Sequence, residues 1–246
     1  MRKDQAKIFG AMTFVILIAC VLLSRDPVHS VLAFSSGPEA GHTGAPGELT
    51  CATAAGCHGG EANTGPGEFF IEAPASYQPG ETLEITVRHS TPDTSRRRWG
   101  FQLTALSSSN EKAGTLESDG TLNILNGGPG NSRQYIEHGI ESSFFGRQRD
   151  ATWTFNWRAP NDNVGPVTLW AAGNQANNDG TSSGDQIYTT DFTINPPSAG
   201  PPSIEAAEVN KKKLIVTGVN FDIGATLLVN GKKAKKTSND ETNPSS

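Results

Sequence analysis

Ten residues, Cys51-Ala-Thr-Ala-Ala-Gly-Cys57-His58-Gly-Gly60, carry the side chains in this sequence best suited to chemistry. Two thiols followed at once by an imidazole are the parts used to attach haem c: each sulfur bonds a porphyrin vinyl, and the histidine after the second cysteine binds the iron. Such thiols are usually two residues apart, whereas five residues separate Cys51 from Cys57. A Cys51–Cys57 disulfide pinning a loop, with His58 merely the next residue, is the plainer use of the same atoms. A closed zinc site would need about four ligands, and Cys51, Cys57, His58 and one more histidine match no familiar finger. With haem as the cofactor, His58 is the proximal iron ligand. His138 in Tyr135-Ile136-Glu137-His138 is then the better sixth ligand, ahead of His42 in the same segment as the cysteines. Without haem, His138 is a hydrogen-bonded histidine at a strand end, and His89, just after a strand, reads as a surface residue.

These residues sit in a stretch that cannot fold on its own. Residues 34–67 are rich in Gly, Pro, Ser, Thr and Glu and poor in large apolar side chains, so a crosslink or a cofactor is expected to hold them in place. Upstream, Arg2, Lys3 and Lys7 precede an apolar run from Ile8 to Leu23, the layout of a secretory leader. Residues 1–33 therefore read as a signal peptide or an N-terminal membrane anchor, the chain's only route to a membrane. Val31-Leu32-Ala33 suits cleavage after Ala33, and Leu17-Ile18-Ala19-Cys20 resembles a lipobox. Loss of Cys20 with the leader leaves two cysteines in an oxidising, extracytoplasmic compartment. The chain carries a net charge of −5. No basic face is available to follow a phosphate backbone, so nucleic acid is excluded as a partner.

Downstream, the pattern is that of strands. Phe69-Phe70-Ile71 begins it, and Leu83, Ile85 and Val87 alternate with Thr82, Glu84, Thr86 and Arg88. Trp99, Phe101, Leu103 and Ala105 share one face, with Gln102 and Thr104 on the other. Trp153, Phe155 and Trp157 repeat the alternation, followed by Val167, Leu169 and Ala171 and by a last strand through Tyr188, Thr190, Phe192 and Ile194. Turn residues separate these runs and no long stretch has helical periodicity, so the fold class is all-β, an antiparallel β-sandwich. A Pro-rich linker, 197–203, ends this domain. Two further strands follow, Leu214 to Gly218 and Leu227 to Gly231, the second running into an Asn230-Gly231 hairpin turn.

Other constellations are weaker. Asn177-Asn178-Asp179-Gly180 with Asp185 does not follow the order of a calcium loop and reads as a polar turn. Arg96-Arg97-Arg98 reads as a solvated turn. No nucleophile elbow, His-Glu-x-x-His or phosphate loop is present, so no catalytic residue is assigned and the chain reads as a non-enzyme.

Several separated blocks together resemble the bacterial choice-of-anchor V family. They are Gly41-His42-Thr43-Gly44-Ala45-Pro46-Gly47-Glu48 with Cys51 and Cys57-His58-Gly59, Arg98 to Leu103, Arg133 to His138, Trp153 to Trp157 with Ala159-Pro160, and Ala171 to Asn174. That domain is similar in layout to the Reeler domain of animal extracellular proteins. The resemblance implies an immunoglobulin-like sandwich over 68–196, export, no catalytic activity, and a role in display or interaction at the cell envelope or exterior. Residues 204–246, with Val216-Thr217-Gly218, Asn220-Phe221 and Val229-Asn230-Gly231, resemble the start of an IPT/TIG module. The expected partner is an extracellular protein or carbohydrate, or a redox protein if haem c is attached.

Overall fold

The computed structural model describes residues 35–52, 57–128, 130–196, 202–220 and 226–233. The leader, Cys20 and the Ala33 cleavage point lie outside the described residues. Alternating side chains lay out nine strands among the described residues of the first of two units, Met1–Pro196. They are β1 (Glu68–Glu72), β2 (Thr82–Ser90), β3 (Arg98–Ser107), β4 (Thr115–Glu117), β5 (Leu122–Asn126), β6 (Gln134–His138), β7 (Asp150–Arg158), β8 (Val167–Ala176) and β9 (Gln186–Ile194). A 3₁₀ turn, Glu141–Ser143, joins β6 to β7. Two antiparallel sheets result, ordered β1-β2-β7-β4 and β5-β6-β3-β8-β9. They stack as a sandwich, each giving one apolar face to the interior.

Three indoles set the core. Trp99, Trp153 and Trp157 are buried among Ile85, Val87, Phe101, Leu103, Phe155 and Leu169, where each fully buried aliphatic or Phe side chain contributes about 1.5–3 kcal/mol. Every indole N–H finds a carbonyl: Trp99 donates to Arg147 at 3.0 Å, Trp153 to Ser142 at 2.8 Å and Trp157 to Ala113 at 2.9 Å. These bonds remove the cost of burying a polar edge.

His89 is part of this core, not the surface residue expected from its place after an apolar run. It continues the inward row of Leu83, Ile85 and Val87 inside β2 and is fully buried. Its ring stacks on Phe69 at 4.3 Å, with Nε2 3.1 Å from the Gly100 carbonyl and Nδ1 3.2 Å from the Gln175 amide nitrogen. Glycine at 173 leaves the ring its space, since a Cβ there would strike the imidazole.

β3 is buried on both faces. Gln102 and Thr104, polar and expected to face out, are inaccessible because residues 35–52 lie over the outer face of the five-stranded sheet. Gln102 is the main tie. Its Oε1 accepts from the backbone of Gly41 at 3.1 Å and His42 at 2.8 Å, and its Nε2 donates to the Glu39 carbonyl at 2.9 Å and to Glu137 Oε2 at 2.8 Å. Glu48 is the second tie, receiving Arg133 Nη1 at 2.5 Å and Tyr135 Oη at 2.7 Å on Oε1, and Thr43 Oγ1 at 2.5 Å on Oε2. Asn123 Nδ2 holds the Ser36 carbonyl at 2.9 Å. Residues 36–48 are thus tied to the sheet by polar contacts of their own.

The second unit, Pro197–Ser246, contains two hairpins among its described residues. β10 (Ser203–Asn210) pairs with β11 (Lys213–Val219), and β12 (Leu228–Val229) with β13 (Lys232–Lys233). Leu228 faces Lys233 and Val229 faces Lys232 across Asn230 and Gly231, both at positive φ (51° and 75°). That is the two-residue turn the Asn-Gly pair predicts. β10 lies almost wholly in the β segment expected over 204–246 but has no strand signal of its own, because its side chains are exposed along its whole length and leave no buried face to mark it.

Candidate functional site

Cys51, Cys57, His58, His42 and His138 line one pocket of about 70 Å³. Its floor comes from Arg98, Trp99, Gly100 and Phe101 of β3 and from Asn174 and Ala176 of β8. Register explains the meeting: Gly100 pairs with Asn174 on one side of β3, while Gln102 pairs with Glu137 on the other, so His138 ends β6 beside Phe101. A hydrogen bond from the His58 backbone N–H to the Cys51 carbonyl, 3.1 Å, closes the loop between the cysteines and brings its ends together. The long spacing therefore does not keep Cys51 away from His58.

Cys51 and Cys57 stand as free thiols. The structure holds no Cys51–Cys57 disulfide, and ties of the segment to the sheet run through Gln102 and Glu48. Burial, with Cys57 and Glu137 nearby, pushes the Cys51 thiol up to about 12. In the protein alone it therefore stays protonated near neutral pH, which does not suit a nucleophile. Among the described residues, no group of three or more His, Cys, Asp and Glu side chains is arranged to hold a metal ion by itself.

His58 is clasped from behind. Its Nδ1 lies 2.9 Å from Oδ2 of Asp185, whose side chain is fully buried, although the alignment falls short of a formed hydrogen bond. Asn174 Nδ2 sits 3.2 Å from Nε2 of the same ring and 3.3 Å from Asp185 Oδ2. The carboxylate draws the amide NH₂, not its oxygen, so the proton of neutral His58 belongs on Nδ1 and the lone pair on Nε2. An imidazole backed by a carboxylate in this way is the usual state of a metal-ligating histidine.

His138 Nδ1 lies 3.1 Å from the Phe101 N–H and 3.2 Å from the Phe101 carbonyl, so the same backbone residue serves either tautomer. Gly100 makes room for it: a Cβ there would come within 2.5 Å of His138 Cε1. His42 Nδ1 is 2.8 Å from the Glu39 carbonyl. Next to His138, burial raises Glu137 to about 7 against the pull of the Gln102 hydrogen bond.

Three contributors at or behind this pocket, Arg98, Asn174 and Asp185, were not assigned to it from the sequence. Arg98 belongs to a run read as a solvated turn. Arg96 of the same run is buried, holding Asp93 at 2.9 Å and the carbonyls of Gly184 and Gln175. Asp185 and Asn174 come from separate stretches, and only the β8–β9 hairpin brings both to His58. Asp179, weighed for calcium, instead accepts from the Thr181 backbone and hydroxyl, the polar turn expected of it.

No family profile matches the chain and no curated protein matches it. Among solved structures, the human F-spondin reeler domain is similar at 22% identity, over 58% of this chain and 96% of that one, with a TM-score of 0.40. A cohesin module from a Clostridium perfringens family 33 glycoside hydrolase is 12% identical over 54% of this chain and 98% of its own, at a TM-score of 0.38. A non-cellulosomal cohesin from the archaeon Archaeoglobus fulgidus is 8% identical over 53% of this chain and 92% of its own, at 0.29.

Proposed function

We propose that the chain is an exported, non-enzymatic β-sandwich module that carries one covalently attached haem and passes single electrons to a redox partner. The observation that carries this is the convergence of Cys51, Cys57, His58 and His138, from two separated stretches of sequence, on one pocket. The donor chemistry fits. A protonated thiol is what addition to a vinyl group consumes: the S–H bond breaks, a C–S bond forms and the proton goes to the terminal vinyl carbon. His58 would present its imidazole with Nδ1 against Asp185, Nε2 passing from Asn174 to the iron, and His138 would bring a second imidazole whose Nδ1 lies against Phe101. When bound, the haem supplies a one-electron couple. The enclosed volume, about 70 Å³, admits only part of so large a ring. Much of a bound haem would then be exposed, which would suit exchange of electrons with a docked protein.

A display role without cofactor is the second reading. Its support is the outer face of the β1-β2-β7-β4 sheet, where Thr86, Arg88, Thr152 and Thr154 form an exposed polar ladder bonded across strands. Such a surface suits contact with an extracellular protein or carbohydrate.

Intact mass and a visible spectrum of protein exported from a host with haem-attachment machinery separate the two. Attachment adds the mass of one haem, blocks both thiols and leaves the colour in the protein after acid–acetone extraction. Cys57→Ser then loses the covalent link at that position. A colourless product with unmodified or disulfide-linked cysteines rejects the haem reading and leaves the display module.

A further inference from the structure

Among the described residues, four buried side-chain polar atoms have no hydrogen-bond partner: His58 Nδ1, Arg98 Nε, Asn174 Oδ1 and Gln175 Oε1. The first three belong to residues lining one pocket. His58 has Asp185 close by, which leaves an arginine N–H and an amide oxygen without a partner in the same cleft. Leaving a donor of a charged group shielded from water and unpaired is costly, and natural sites accept that cost where a ligand completes the set.

We propose that Arg98 is the anion-binding group of this pocket and takes a carboxylate of the bound ligand, which on the haem reading above is a haem propionate. The guanidinium is held ready for this. Its Nη1 donates to Ser35 Oγ, and its Cζ lies 4.9 Å over the ring of Phe145, which covers one face of the plane. No ion pair among the described residues uses Arg98. Asp185 is committed to His58 and Glu137 to Gln102, while Arg96, two residues earlier, is satisfied by Asp93. A fixed, shielded guanidinium with an open N–H matches a carboxylate in charge and in planar geometry. The only charged substituents of haem are its carboxylates, so one ligand would satisfy the thiols, the histidines and Arg98 together. Asn174 Oδ1 remains as an acceptor for water or a ligand O–H.

The test uses the exported full-length protein and its Arg98→Gln and Arg98→Lys variants, sorted first by intact mass. If haem is attached, resonance Raman reads the propionate bending band, whose frequency follows hydrogen bonding to the carboxylate. The expected result is a downshift in Arg98→Gln that Arg98→Lys largely reverses; an unchanged band in Arg98→Gln overturns the proposal. If no haem is attached, the haem reading has failed, and sodium propionate is titrated into the same protein while the Arg98 Nε–H resonance is followed by NMR. A saturable shift absent with sodium chloride upholds carboxylate binding at Arg98. No shift, or the same shift with chloride, overturns it.

Discussion

Replacing Glu48 with alanine tests what holds the Gly-rich layer on the sandwich. The carboxylate is nearly inaccessible, with 5% of the side chain exposed, and it receives Arg133, Tyr135 and Thr43 at 2.5–2.7 Å. Burial pushes the Tyr135 phenol up to about 12, so it remains a donor at any working pH. Removing one member of a buried ion pair typically costs about 3–5 kcal/mol. Arg133 keeps the carbonyls of Pro46 and Asn110 and is itself 15% exposed, which places Glu48→Ala at the lower end, about 3 kcal/mol. At 1.36 kcal/mol per factor of ten, that is roughly a hundredfold in the opening equilibrium of the segment. Native-state hydrogen exchange reads it directly. The amides of His42, Gly44 and Leu49, bonded to Gln102, Leu49 and Gly41 respectively, should exchange about a hundredfold faster, while that of Phe155 in β7 stays protected. Acceleration of less than about threefold at those amides would refute the assignment and point to a covalent or cofactor anchor.

Other perturbations follow from single contacts. Gly100→Ala should drive the His138 ring out of the pocket at a cost of about 1–3 kcal/mol, seen as a lower denaturation midpoint and, in haem-loaded protein, a changed ligand-field spectrum. Asp185→Asn should raise the midpoint potential of haem-loaded protein by making His58 a weaker donor; an unchanged potential would mean the carboxylate does not act through that ring. Burial pulls His89 down to about 3, so the unfolded chain binds the extra proton and stability falls by about 1.4 kcal/mol per pH unit as pH drops from about 6.5 to 3. Glu137, raised to about 7, has the opposite sign: its contribution is complete below its ordinary value of 4.5 and is lost as pH rises to 7. The two slopes oppose each other between those limits. Denaturation midpoints of Glu137→Gln should therefore climb with pH there, and a flat profile would count against both assignments.

How much the sequence disclosed depended on whether a residue's partner was near it in a pattern. Trp153, Phe155 and Trp157 announced β7 because their alternation marks a strand with one buried face. β4 has three residues and β5 only one fully buried position, too little for period two to register. Gln102 misled because its face is covered by a segment with no periodicity of its own, so nothing local showed that it was buried. His89 misled in the opposite way: the period continued through it, and only ending the strand at the last apolar residue placed it on the surface. In the pocket, Cys51, Cys57, His58 and His138 were legible as chemistry. Arg98, Asn174 and Asp185 stood in the sequence only as parts of an arginine run, a family-like block and a polar turn, because they reach the pocket through strand register, which one sequence does not fix.

The hydrogen bond from His58 to the Cys51 carbonyl makes the stretch between the cysteines an excursion whose ends meet whatever it contains. Closing a loop grows only slowly more expensive with length, by about 0.6 kcal/mol per doubling. A change in the number of residues between these two positions is therefore expected to leave the backbone bond from His58 to Cys51 in place. The two anchor points and the imidazole beside the second one, more than the count of residues between the cysteines, decide which side chains meet at the pocket.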